Sequence, residues 1–266
     1  MINNIWLPDS IRAAVQNKPC TEDDVGMSGS RIFIFDDTVL KIQKHSAETD
    51  NEFRVIEWLN GRLPVPEIIE YEVKDGMAYC LMTRICGKMA CDESYMREPE
   101  TLVEIVAQAM EMLWSVDISD CPCDASLDIK LEAAKYNVEN NLVDIENTEP
   151  ETFGRGGFAS PEELLLWLCD NRPGEEPVFS HGDFCLPNIF ADKNKVTGFI
   201  DLGRTGIADK WQDIAICYRS LKHNFEGAYN GGKPYRGYSP EMLFERLQIA
   251  PEPEKLRYYI LLDELF

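Results

Sequence analysis

The segment that most limits how this chain can fold is Phe179-Ser180-His181-Gly182-Asp183-Phe184-Cys185-Leu186-Pro187-Asn188-Ile189-Phe190, followed by Gly198-Phe199-Ile200-Asp201-Leu202-Gly203. Apolar runs flanking a polar turn predict short strands across residues 178–201, with Asp183 and Asn188 on one loop and Asp201 on the strand that follows. The residue types suit phosphoryl transfer. One carboxylate can orient the proton of an acceptor hydroxyl, while an Asn oxygen and a second carboxylate are hard ligands for Mg²⁺ held against nucleotide phosphates. A lone His-Gly-Asp would carry little weight; the spacing from Asp183 to Asn188, with Asp201 downstream, makes the signal specific.

The elements change character near residue 85. Before it, residues 31–35 and 38–42 predict a hairpin turning at Asp36-Asp37, and 67–73 and 77–85 predict another turning at Asp75-Gly76. Between them, residues 48–59 carry apolar side chains at Phe53, Ile56 and Leu59 and read as a helix. This β-β-α-β-β order is that of a kinase amino-terminal lobe. After Ile85, helices are expected at about 100–116, 125–142, from Ser160-Pro161-Glu162-Glu163 (a capping box with Pro at the first position), 209–222, 240–248 and 253–265. The fold class is therefore α+β: a protein-kinase-like two-lobed fold, with a small antiparallel-sheet lobe holding one helix (residues 1–85) and a larger, mainly helical lobe (86–266).

Lys41 lies in an otherwise apolar strand, where a charge needs a reason. A nucleotide phosphate supplies one, with Glu52 of the following helix as its brace. Residues 26–30, Gly-Met-Ser-Gly-Ser, can bring backbone amides and the Ser28 hydroxyl to a phosphate. His181 reads as a brace for the loop, and Asp213 as a second brace acting through backbone hydrogen bonds.

The 26 basic and 47 acidic residues give a net charge of −21, which disfavours nucleic acid and anionic membranes as partners and favours cationic ligands. Acidity gathers at the end, Leu262-Asp263-Glu264-Leu265-Phe266, where side-chain carboxylates join the negative end of a predicted helix and call for a cation. No apolar run approaches a membrane span. The nine cysteines contain no CxxC pair, so reduced thiols and a cytoplasmic location are expected.

Nearly the whole chain resembles the aminoglycoside phosphotransferase family, specifically its 3'-phosphotransferase (kanamycin kinase) subgroup. The residues that carry the likeness are Gly26-Met27-Ser28, Trp58 through Pro66, His181 through Asn188, Gly198 through Arg204, Ala208-Asp209-Lys210-Trp211 and the closing Leu261 through Phe266. The resemblance implies transfer of the γ-phosphate of ATP or GTP to the 3'-hydroxyl of kanamycin- or neomycin-like drugs by a Mg²⁺-dependent, monomeric enzyme. It makes Asp183 the catalytic residue and Asn188 and Asp201 the metal ligands. Ser28, Lys41 and Glu52 would bind the phosphates, with the backbone at Thr83 and Ile85 serving the base. Arg204, Asp263, Glu264 and the carboxylate of Phe266 would border or hold the drug. Val39 stands where several relatives place an aromatic residue against adenine, which leaves the donor open between ATP and GTP. Leu186, Pro187 and His223 also vary among relatives and bear on the drug spectrum. The alternatives are a choline, homoserine or sugar kinase, which predicts no acid-rich ending, and a catalytically silent nucleotide-binding module.

Overall fold

The computed structural model describes residues 5–23 and 30–266. α1 (Asp9–Val15) precedes β1 (Thr21–Asp23), β2 (Arg31–Ile34), β3 (Thr38–Lys44), α2 (Ala47–Leu59), β4 (Ile68–Lys74) and β5 (Met77–Thr83). The strands form one antiparallel sheet in the order β1-β2-β3-β5-β4. Both expected hairpins form. Asp36-Asp37 closes β2 on β3 with Ile34 opposite Val39, and Asp75 and Gly76 each take positive φ, the geometry of a two-residue hairpin turn. The last strand ends at Thr83 rather than Ile85, because the Arg84 amide turns aside to the Asp37 carbonyl.

Strand alternation divides the sheet's residues by face. Phe33, Phe35, Leu40, Ile42, Tyr79 and Leu81 pack with Leu7, Ile11 and Val15 of the N-terminal segment in a small core. Lys41 and Val39 lie on the other face of β3. α2 starts on a reciprocal capping box, in which the Ser46 hydroxyl accepts from the Thr49 amide and the Thr49 hydroxyl accepts from the Ser46 amide. Its buried Val55, Ile56 and Leu59 join a second, larger core rather than the sheet's own.

That larger core is built by α3 (Glu93–Met96), α4 (Pro99–Trp114), α5 (Leu127–Glu139), α6 (Pro161–Asp170), α7 (Lys210–Glu226), α8 (Glu241–Leu247) and α9 (Pro253–Asp263). Two small sheets interrupt the helices: β7 (Pro177–Ser180) with β10 (Gly206–Asp209), and β6 (Lys88–Met89) with β8 (Ile189–Asp192) and β9 (Lys195–Phe199). At Ser160 the expected capping box is half made. The Ser160 hydroxyl accepts from the Glu163 amide, but the Glu163 carboxylate reaches the Ala159 amide instead. Among the described residues no helix is long and apolar enough to cross a membrane, and all nine cysteines are free.

Candidate active site

The segment from Phe179 to Asn188 leaves β7, forms a tight loop and enters β8. Phe179, Phe184 and Phe199 are fully buried beneath it, each contributing about 2–3 kcal/mol to holding the loop against the core. Gly182 sits at φ +82°, and a Cβ there would lie 2.0 Å from the Arg204 carbonyl oxygen, so the close approach of these two backbones requires glycine.

Asp213, in the first turn of α7, fixes the loop's backbone. Fully buried, it accepts from the Ser180 hydroxyl at 2.9 Å and from the His181 and Gly182 amides at 3.1 Å. Burial pushes its carboxyl above the ordinary range, while these donors pull the other way. His181 braces a second side. Its Nε2 is 3.0 Å from the Ile200 carbonyl and its Nδ1 3.4 Å from the Asp183 amide. A single neutral tautomer, protonated at Nε2, satisfies both contacts, so the ring works as a strut.

Asp183 emerges from this scaffold with its carboxylate accepting from the Asn188 amide nitrogen at 3.0 Å. Burial raises its pKa, and the like charges of Asp263 and Asp201 add to the rise against the pull of Arg204. The Asn188 nitrogen also donates to the Asp183 carbonyl at 3.0 Å. With its N–H₂ committed to two acceptors, the amide orientation is set, and Oδ1 is left without a protein partner among the described residues.

Where β3 meets α2, the Lys41 ammonium is 2.9–3.0 Å from both oxygens of Glu52 and 2.9 Å from Asp201 Oδ1. Burial alone would depress the lysine's pKa, but the two carboxylates outweigh it and hold it above the ordinary value. Asp201 shows the reciprocal effect: burial would raise it, and Lys41 brings it below the usual range. Its backbone takes φ +60°, uncommon for a non-glycine residue and the kind of strain that gathers at functional sites. Asn188 Oδ1 and the half-exposed Asp201 carboxylate form a donor set of hard oxygens that fits Mg²⁺. No cluster of three or more His, Cys, Asp or Glu among the described residues could hold a metal by itself.

Thr83 closes β5, and Ile85 follows it in the link from the sheet to the helices. Thr83 and Arg84 spend their amides on the Glu67 and Asp37 carbonyls, whereas the Ile85 amide has no partner among the described residues. Ser28 lies outside those residues.

Beside the acidic ending, Arg204 lies 3.1 Å from Glu48 and 3.8 Å from Asp263, with its guanidinium 5.4 Å from the centre of the Phe266 ring. The Lys130 ammonium is 5.6 Å from that centre, so two cations attend the last side chain. The acidic ending already has a cation of the protein's own: Arg219 of α7 bonds Glu264 at 3.1 Å through one nitrogen and Asp263 through another. The tail is also structural. Leu265 is fully buried, and its carbonyl accepts from Asn137 at 2.9 Å.

Sequence reasoning missed Arg219, Lys130 and Asn51. Asn51 donates from α2 to the Gly203 and Thr205 carbonyls at 2.9 Å, tying the helix that carries Glu52 to the turn after Asp201. None of the three sits in a local motif; their roles arise from partners far along the chain. Only the helical phase of Asn51, one residue before Glu52, offered a signal.

Comparisons with known proteins identify the family of this chain. The phosphotransferase enzyme family matches residues 20–246. An aminoglycoside 3'-phosphotransferase of Enterococcus faecalis is 38% identical, covering 96% of this chain and 97% of its own length. One from Staphylococcus aureus is 37% identical with the same coverage. The crystal structure of an aminoglycoside-3'-phosphotransferase of type VIII superposes with a TM-score of 0.78 at 27% identity, covering 97% of this chain and 98% of its own. A kinase-like site on this scaffold, with relatives matched over almost their full length, places the chain in the phosphotransferase enzyme family, within its aminoglycoside 3'-phosphotransferase subgroup.

Proposed function

We propose that this protein transfers the γ-phosphate of ATP or GTP to the 3'-hydroxyl of aminoglycosides such as kanamycin and neomycin, and so confers resistance to them. The observation that carries this reading is the position of Asp183. Its carboxylate accepts from Asn188 at 3.0 Å, and Gly182 just before it packs against the backbone of Arg204, whose guanidinium lies 3.8 Å from Asp263 of the acidic face. Asp183 orients the acceptor hydroxyl and takes up its proton as the phosphoryl group leaves the donor. Lys41, held by Glu52, positions the phosphates, and the backbone at Thr83 and Ile85 receives the base. Asn188 and Asp201 would hold Mg²⁺, which when bound neutralises charge on the transferring phosphate. Residues 1–85 would carry the nucleotide and 86–266 the acceptor. Asp263 is the carboxylate best placed to meet a drug ammonium.

Nucleotide consumption with Mg²⁺ tests the reading, using ATP and GTP in turn against kanamycin, neomycin, choline and homoserine. Consumption driven by the two aminoglycosides is expected. Stimulation by choline or homoserine alone, or by no acceptor, would sink it.

A further inference from the structure

The two acids at the end of α9 differ in what can reach them. The Glu264 side chain is 3% exposed, whereas that of Asp263 is 19% exposed. Glu264 has another buried commitment, accepting from the Glu149 amide at 2.8 Å. Arg219 spans the pair with separate nitrogens, Nη1 on Glu264 and Nη2 on Asp263. It can therefore release Asp263 while remaining anchored to Glu264. Arg204, 3.8 Å from Asp263 and bonded to Glu48, lies beyond hydrogen-bond distance and does not duplicate that contact.

We propose that Arg219 is a specificity-determining residue that acts as a resident counterion: it occupies Asp263 in the acceptor-free enzyme and yields that carboxylate only to an ammonium group of the acceptor. This rests on the functional reading above and deepens it. An acceptor that presents only hydroxyls to Asp263 cannot replace a guanidinium there, because a neutral donor gives up the charge-assisted bond that Arg219 makes. A polyamine sugar exchanges one cation for another. Selection against abundant neutral sugars then comes from an interaction that must be displaced as well as from one that is gained. The arrangement also keeps Asp263 and Glu264 from facing one another uncompensated when no acceptor is bound.

The test is calorimetric titration of kanamycin into nucleotide-free protein, comparing wild type, Arg219→Lys, and the double variant Arg219→Gln with Glu264→Gln. The double variant removes one buried charge of each sign, so folding is not confounded by an unpaired Glu264. Removing a single competing charge-assisted bond should tighten kanamycin binding about tenfold in the double variant. Arg219→Lys, which keeps a cation beside the acids, should stay near wild type. Equal or weaker binding by the double variant, or tightening equal to its own in Arg219→Lys, overturns the proposal alone. No kanamycin binding by any of the three proteins overturns this proposal and the functional reading together.

Discussion

Gly182→Ala is expected to disable turnover without altering any group that handles phosphate. The added Cβ would lie 2.0 Å from the Arg204 carbonyl oxygen, where real contacts stay above 3.0 Å, so the two backbones must separate by about 1 Å. One side of that contact leads into Asp183 and the other follows Asp201, so relief on either side moves a reacting group. A misplacement of about 1 Å costs about 100-fold in rate, equivalent to about 2.7 kcal/mol of barrier. Alanine at φ +82° adds about 1–2 kcal/mol of backbone strain, which lowers Tm by about 5 °C in a chain of this size. Steady-state kinetics with kanamycin should show kcat reduced about 100-fold. The nucleotide KM should stay within about threefold, less than the cost of one charge-assisted bond, because Lys41 and Glu52 lie on other elements. A variant with kcat within about twofold of wild type and an unchanged Tm would show that the close approach does not set the loop's position.

Other expectations follow from the same contacts. Asp183→Asn should leave nucleotide affinity intact while reducing turnover by about 1,000-fold or more; near-normal turnover would remove Asp183 from its role. Asp263→Asn should raise the KM for kanamycin about tenfold with little change in the nucleotide KM, as expected for a charge-assisted contact; equal effects on both would point to structural damage. It is a cleaner probe than deleting the last four residues, which would also remove the buried Leu265 at a cost of about 2–5 kcal/mol. The pKa of Glu264 is raised by burial from 4.5 to about 7. The folded state therefore holds a proton that the unfolded chain releases, and the stability this contributes is present below about pH 4.5 and lost as pH rises through 7. Denaturation at pH 5 and pH 8 should find Glu264→Gln gaining on wild type by up to about 3 kcal/mol at the higher pH; a difference independent of pH would refute it.

The parts of this molecule legible in the sequence were those written locally. Hairpin turns, helix caps and the spacing of Asp183 and Asn188 are set within a few residues, and the structure forms these elements with ends displaced by up to four residues; Asp201, expected on a strand, lies two residues past the end of β9. Lys41 and Glu52 were legible because a buried charge in an apolar strand demands a partner. Asp213 was read correctly as a brace, although its three bonds on the loop could not be enumerated. The acidic ending was only half legible. Its charge called for a cation, but Arg219 is an unremarked arginine on α7, and only the packing of α7 against α9 brings it to Asp263 and Glu264. The short elements β1, β6, β10 and α3 were missed because each has two to four residues, too few for a periodicity to register.

The division of labour along α2 bears on how the enzyme tolerates change. One side of this helix is embedded with the helical core through Val55, Ile56 and Leu59, while Glu52 holds a lysine of the sheet. Asn51 fastens it to the turn beyond Asp201. α2 also stacks Phe53 on Tyr71 of β4, so the helix joins the sheet to the helical core and the Lys41–Glu52 contact depends on both. A substitution at Leu59, remote from any phosphate, would loosen the nucleotide grip by letting the helix drift. Drug-resistance phenotypes at such a position would therefore report on mechanical slack in a shared beam.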